Sequence, residues 1–233
     1  MRRTLTTKKA ISRSFTVMTE PALMRLLIWL SPAFPTGGFA YSQGLEWAVR
    51  TGDVRCGVSV GAWLTDHFRH GVGFGEAMLL RAAYRAGADP GRLAQLAELA
   101  LAASMARERA EETLAQGVAF TRAAQPWRPA WIGETLPYPV AVGALAAAHQ
   151  AGEDATCLAF LTAQAAALVS AAVRLVPLGQ STGVAALAGL EPVLIEAAEQ
   201  ARSSSLDDLG GCGFRAEIAS MCHETQEIRL FRS

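Results

Sequence analysis

The sequence predicts an all-α fold: a single-domain, compact bundle of about nine or ten helices. Three observations carry that expectation. Of the 233 residues 51% are hydrophobic, alanine dominates them, and aromatics supply only 7%. Alanine loses no side-chain entropy in a helix and lets neighbouring helices come close. Apolar residues recur at spacings of three and four along most of the chain, the helical period. No alternation of period two runs for more than a few residues, and no internal repeat is present. At this length roughly 70% of the unfolded surface can be buried, so one core suffices and one domain is the default.

The elements follow in order. Pro21 to Leu30 reads as a first helix, with Pro21 in its first turn. Pro32 and Pro35 stop it, and Phe34 to Phe39 (FPTGGF) is a loop. A short helix is expected over Ala40–Val49. Val58 to His70 carries Val60, Trp63, Leu64 and Phe68 at helical spacing, Gly71, Gly73 and Gly75 interrupt it, and another helix runs over Glu76–Ala86. Asp89-Pro90 is an N-cap and first-turn pair opening a helix or helix pair that reaches about Ala124. Pro126, Pro129 and Pro137 mark the longest loop. Val140–His149 and Asp154–Val176 are apolar helices, the second capped by Asp154. Pro177-Leu178-Gly179 turns the chain. Ser181 caps a helix to Leu190, and Pro192–Arg202 gives another. A turn at Gly210, Gly211 and Gly213 precedes a last helix through about Cys222.

These elements divide the chain into a basic extension (1–19), a helical domain (20–225) and a C-terminal tail (226–233). The extension holds Arg2, Arg3, Lys8, Lys9 and Arg13 and no acid. It is rich in Ser and Thr, as transit peptides are, but it reads better as a disordered tail or as sequence upstream of a start at Met18. No apolar run follows its charges, so a secretory signal is not expected. The rest holds 16 basic and 21 acidic residues. An acidic body has no electrostatic reason to bind nucleic acid, and no motif that reads it is present. The longest uncharged run, Cys157 to Val173, is short and polar for a membrane span and reads as a buried helix. Cys56, Cys157, Cys212 and Cys222 are scattered without a CxxC pair. They read as free thiols in a reducing cytoplasm.

Several patterns point to chemistry and fail on context. Gly57-Val58-Ser59-Val60-Gly61 matches a nucleophile elbow, but no strand precedes it, so Ser59 belongs to the first turn of a helix. Gly71-x-Gly73-x-Gly75 is half of a phosphate loop and lacks the rest. His67 and His70 share a helical face and could chelate a metal with help, but are read as solvated. Cys222 and His223 are adjacent, so they diverge on a helix and form no dyad. Arg107 with Glu111 and Arg109 with Glu112 read as surface ion pairs, with Glu108 beside them. No catalytic residue, metal ligand or cofactor site emerges. Two segments are different. The loop Ser31–Phe39 and the tail Gln226–Ser233 put aromatics beside glycine or arginine, the composition of protein interfaces. The loop's phenylalanines either meet a partner or fold back on the core. The tail favours a partner, since a terminus is poorly ordered unless tied down.

Three stretches resemble the UreF family of urease accessory proteins: LLIWLSPAFPTGGFAYSQGLEWAV (Leu26–Val49), AAALVSAAVRLVPLGQSTG (Ala165–Gly183) and IASMCHETQEIRLFRS (Ile218–Ser233). SMARERAEETLAQG between them fits the family's charged central helix more loosely. The resemblance implies an all-α, usually dimeric protein with no catalytic activity. It implies binding to UreD (UreH in some organisms) and recruitment of the GTPase UreG, in an assembly that loads nickel and a carbamylated lysine into apo-urease. Carried over by motif, Arg229, Leu230, Phe231, Arg232 and Ser233 should order on UreD binding and help recruit UreG, with His223 and Glu224 belonging to the same motif. Pro35, Gly37, Gly38, Tyr41, Ser42, Gly44, Leu45 and Glu46 should lie near that tail. Arg174 and Gln180 should be structural or near the interface. Cys222 stands where the family would be expected to carry arginine, and Pro137-Tyr138-Pro139 where a histidine-bearing stretch is more usual. The alternative is a nickel-binding metallochaperone in its own right, which requires His67, His70, His149, His223 or the cysteines to converge.

Overall fold

The computed structural model describes residues 18–210 and 212–233; the basic extension, apart from its last two residues, lies outside them. Among the described residues there are ten α-helices and no strand. They are α1 (Glu20–Trp29), α2 (Leu45–Arg50), α3 (Gly57–His70), α4 (Val72–Ala86), α5 (Pro90–Ala102), α6 (Arg107–Ala123), α7 (Tyr138–Ala148), α8 (Glu153–Leu175), α9 (Gln180–Ser203) and α10 (Phe214–His223). Single 3-10 turns lie at Gly38–Ala40 and Leu206–Asp208. The all-α expectation holds.

α7 forms the centre of the bundle. Its residues from Pro139 to Ala146 are all buried, so it has no wet face and no amphipathic stripe. α4 packs on one side of it and α6 on another. Small residues set how close they come. A Cβ on Gly143 would sit 2.3 Å from the Leu80 carbonyl, and one on Gly117 would sit 1.8 Å from the Leu136 carbonyl. Neither position has room for a methyl group. α8 and α9 form a hairpin against α3 and α4. Arg81 ties three helices at its end. It is 1% exposed, and its Nη1 donates to Glu153 (2.6 Å) and Asp154 (2.8 Å) while Nη2 donates to the Ala198 carbonyl (2.8 Å). α8 and α9 are long and apolar enough to cross a membrane by length and composition. α8 spends its apolar side on the core instead, through Phe160, Leu161, Ala165 and Leu168.

Several local expectations are corrected. The helix expected over Ala40–Val49 shrinks to α2, because Gln43 and Gly44 take positive φ (56° and 79°) and cannot belong to a right-handed helix. α4 starts at Val72 and absorbs Gly73 and Gly75. A Cβ on Gly73 would lie 2.5 Å from the Phe68 ring, so this glycine permits a tight α3–α4 corner. The pair at Asp89-Pro90 forms as expected, the carboxylate accepting the Arg92 N–H at 2.9 Å. The stretch that follows is a pair of helices, broken at Ala103–Ala106. Asp154 does not cap α8; Gly152 stands there, and Asp154 turns to Arg81 and Arg202. Ser181 caps nothing, since α9 opens at Gly179 and runs unbroken through Pro192. Pro192 and Ala188 are both exposed, so the lost hydrogen bond falls on the wet side where water reaches the carbonyl. Leu190, Val193, Leu194 and Ala197 keep the dry face continuous across it.

Candidate functional site

The C-terminal tail lies on the body of the protein, against the segment Ala40–Glu46. Arg232 N–H donates to the Ala40 carbonyl (2.8 Å), and Ser42 N–H donates to the Ser233 backbone oxygen (2.8 Å). Ser42 Oγ donates to that same oxygen at 2.6 Å, and Ser233 Oγ donates to Glu112 Oε2 at 2.6 Å. Phe231, 5% exposed, points inward beneath the Arg174 guanidinium, which stacks 4.5 Å above its ring. Arg174 also donates to the Phe39 carbonyl (2.9 Å), joining α8 to both motif segments. The tail, which the resemblance expects to order on UreD binding, is seated against the body in this structure.

Glu46 organises the seat. Its carboxylate, on α2, is 6% exposed and accepts from Leu230 N–H (2.8 Å), Phe231 N–H (2.9 Å) and Gln226 Nε2 (3.2 Å). His223, fully buried at the end of α10, lies between two carboxylates: Nε2 is 3.2 Å from Glu46 Oε2 and Nδ1 is 2.8 Å from Glu108 Oε2. Glu108 also receives Arg229 Nη1. Glu224 accepts the Glu108 N–H (3.3 Å), so the residue after α10 satisfies a free donor in the first turn of α6. Gly44, at φ 79°, lets α10 touch this corner. A Cβ there would meet Ser220 N at 2.7 Å, so the position needs glycine for conformation and for space.

A second buried cluster continues from this one. Arg109 is 3% exposed and pairs with Glu112 and with Glu76 (3.1 Å). Burial alone would lower the affinity of the guanidinium for its proton; Glu112 and Glu76 outweigh it and hold the charge. Burial pushes the Glu76 carboxyl above the usual carboxylate range, against the pull of Arg109. Gln43 and Gln116 donate to Glu112 (2.9 and 2.8 Å), and Gln164 donates to Glu76. Gln43, Glu76, Glu112, Gln116 and Gln164 line a groove of about 410 Å³ between the Pro32–Phe39 loop and α8.

The candidate residues divide sharply by exposure. Leu45 is in the core, and Glu46, Ser42, His223, Phe231 and Ser233 are buried. Tyr41 is half-buried, and burial raises its phenol above the ordinary value despite the neighbouring Arg232. Phe39, Ile228 and Leu230 stand out at 74%, 81% and 77% exposed, with Pro35 also exposed at the loop. Gly37 turns the loop at φ 76°, and Gly38 begins the 3-10 turn above the groove. The phenylalanines split between the two readings: Phe34 folds back onto Phe120 (ring centroids 5.5 Å apart), while Phe39 faces out. Gln180 is exposed at the start of α9 and makes none of these contacts.

Two expectations fail here. Arg107 and Glu111 are a surface pair, but Arg109, Glu112 and Glu108 are buried, and the site is built on them. The readable signal was the lack of an apolar stripe on α6: Glu108, Glu112 and Gln116 recur every four residues, so a core helix must bury polar groups. His67 is buried against Phe68 rather than solvated, and burial pulls its imidazole down to about 3. His70 is exposed, and His149 sits between Arg25 (2.6 Å) and the Trp127 carbonyl (2.8 Å). The histidines therefore do not meet. Ser59 occupies the first turn of α3, as expected, with its Oγ accepting the Cys56 N–H at 3.0 Å.

Comparison with known proteins meets this geometry. The UreF family model matches residues 54–191. The chain is 47% identical to the urease accessory protein UreF of Bradyrhizobium sp. (strain BTAi1 / ATCC BAA-1182), covering 96% of this chain and 97% of that one. It is 45% identical to the UreF of Rhodopseudomonas palustris (strain TIE-1), over 98% and 99% of the two chains. It is 48% identical to that of Rhizobium etli (strain CIAT 652), over 91% and 96%. With the family model spanning more than half of the chain and relatives this similar over nearly its whole length, the chain belongs to the UreF family.

Proposed function

We propose that this protein is a non-catalytic accessory factor of urease maturation that bridges UreD and the GTPase UreG while nickel is inserted into apo-urease. The observation that supports this reading is the joining of the tail to the Ala40–Glu46 segment. Two chain segments become one face, with buried anchors (Phe231, Glu46, His223) beneath and apolar side chains (Phe39, Ile228, Leu230) above. Aromatic and aliphatic groups on a rigid support are what a docking surface needs, because little entropy is lost when they meet a partner. The carboxylates of Glu46, Glu108, Glu112 and Glu76 are met by internal donors and serve as structure. The exposed loop and tail residues contact partners directly, while the buried ones hold the face in shape. The protein works in the cytoplasm, as a homodimer within the complex.

Co-expression with UreD and UreG from the same organism tests this. The full chain should recover both partners in a pull-down, and a chain lacking residues from Gln226 onward should lose them. Recovery of neither partner by the full chain would refute the bridging role.

A further inference from the structure

We propose that the groove between the Pro32–Phe39 loop and α8 receives the side chain of an arginine presented by a partner protein. Its polar side is built to accept hydrogen bonds. An ionised carboxylate only accepts, so an amide beside one turns its NH2 group towards it and its oxygen away. Gln43 and Gln116 do this at Glu112 (2.9 and 2.8 Å), and Gln164 does it at Glu76. All three line the groove, with Thr113 beside them. Gln43 Oε1, Gln164 Oε1 and Thr113 Oγ1 have no hydrogen-bond partner. Gln164 and Thr113 are only 8% and 6% exposed, and a polar group buried that far costs free energy until a partner meets it. Gln116 Oε1 lies under the loop, where a Cβ on Gly38 would come within 3.6 Å of it.

Charge and shape select the donor. Glu76 and Glu112 are both paired to Arg109, so two carboxylates meet one guanidinium. Arg174 also lines the groove, but it stands ten residues along α8 from Gln164, about 15 Å away. Its guanidinium is engaged by the Phe231 ring and the Phe39 carbonyl. A cation is therefore favoured beside the three amides. The remaining wall is apolar, with Phe34, Tyr138, Ala163 and Leu168, and suits an alkyl stem. Arginine combines such a stem with a planar head of five N–H donors that is weakly hydrated and stacks on rings. A lysine ammonium is compact and strongly hydrated, and matches spread acceptors less well. The groove is continuous with the proposed docking face, because the loop that walls it turns Pro35 and Phe39 outward. A protein side chain is accordingly the source, and this step rests on that reading of the face.

The full chain is titrated with arginine blocked as its N-acetyl, N-methylamide form, and with citrulline blocked in the same way, which keeps the stem and replaces the guanidinium by a neutral urea. Blocked arginine should bind saturably at roughly millimolar concentration and shift the side-chain amide NMR resonances of Gln43, Gln116 and Gln164. Blocked citrulline should bind at least about tenfold more weakly, for want of charge-assisted hydrogen bonds. Ala163 is half-buried on the groove wall, so Ala163→Phe should abolish binding without changing the helical circular dichroism spectrum. Should it not fold, Ala167→Phe, at an exposed position of the same wall, takes its place. Co-expressed with UreD and UreG, the folded variant should recover several-fold less partner than the unaltered chain. No saturable binding of blocked arginine, or equal binding of the two compounds, overturns the site. Saturable binding with undiminished partner recovery by the variant overturns the partner as source and leaves a free small molecule. Binding that appears only with Arg2→Ser, Arg3→Ser and Arg13→Ser also overturns it, since the chain's own extension is then the occupant. If the unaltered chain recovers no partner, the bridging role fails while the titration still decides the site.

Discussion

Ser42 and Ser233 are 191 residues apart in sequence and meet at one oxygen, the backbone N–H and the hydroxyl of Ser42 both donating to the Ser233 backbone oxygen. The hydroxyl is the removable half of this clasp. Ser42→Ala should weaken tail seating by about 1 kcal/mol and leave the body untouched. Hydrogen exchange should show faster exchange in the tail alone, with an unchanged thermal midpoint.

Arg229 is 36% exposed along its side chain and anchors the tail to Glu108. Arg229→Ala should lower UreG recruitment while leaving the helical fold intact. Size-exclusion chromatography of the co-expressed complex reads the first effect and circular dichroism the second. An undiminished complex peak would remove Arg229 from the docking role.

Arg109 is the cation on which the second buried cluster depends. Arg109→Met fills similar space but leaves Glu112 and Glu76 facing each other without it. A loss of roughly 3–5 kcal/mol is expected when one partner of a buried ion pair is removed. Urea denaturation measures it. Adding Glu76→Gln should recover part of the loss, because that carboxyl is already pushed towards its neutral form by burial.

Two glycines should respond oppositely to the same methyl group. Gly117→Ala drives a Cβ into the Leu136 carbonyl and should cost about 3 kcal/mol, at the upper end of overpacking. Gly189 lies on the open side of α9 with nothing within 4 Å. Gly189→Ala should stabilise by roughly 0.5–1 kcal/mol. Paired thermal melts decide both.

Asp154 supplies a pH dependence at the far end of the bundle. Burial would raise its carboxyl, but Arg81 and Arg202 outweigh burial and hold it below the ordinary value. A lowered carboxylate adds stability above its unfolded-state range, about pH 3.9, and that stability is lost as pH falls through the folded value. The thermal midpoint should drop in acid more steeply for the unaltered protein than for Asp154→Asn.

The helices were legible in the sequence where caps and periodic apolar positions agree, as at Asp89-Pro90 followed by Leu93, Leu96 and Ala100. They were misread where a breaker serves packing. Gly73 looks like an interruption until Phe68 is seen against it, and Pro192 like a terminus until its exposed side is known. The site was legible as two motif segments but not as a surface. Helical spacing shows that Glu108 and Glu112 share a face; only the fold shows that this face is covered by α10 and the tail. Likewise the alternation Ile228, Arg229, Leu230, Phe231 announces two sides without saying which is inward.

The contacts that seat the tail close very long loops: 184 and 185 residues to Glu46, and 121 to Glu112. Contacts of such separation are slow to form, because the chain must lose most of its freedom before they can. They also involve a short segment outside the helices, the kind of unit that opens below the free energy of global unfolding. The tail should therefore be the last piece to dock during folding and the first to detach from the native state. The proposed docking face would then carry its own folding equilibrium, poised separately from a helical body that stays intact while the tail comes and goes.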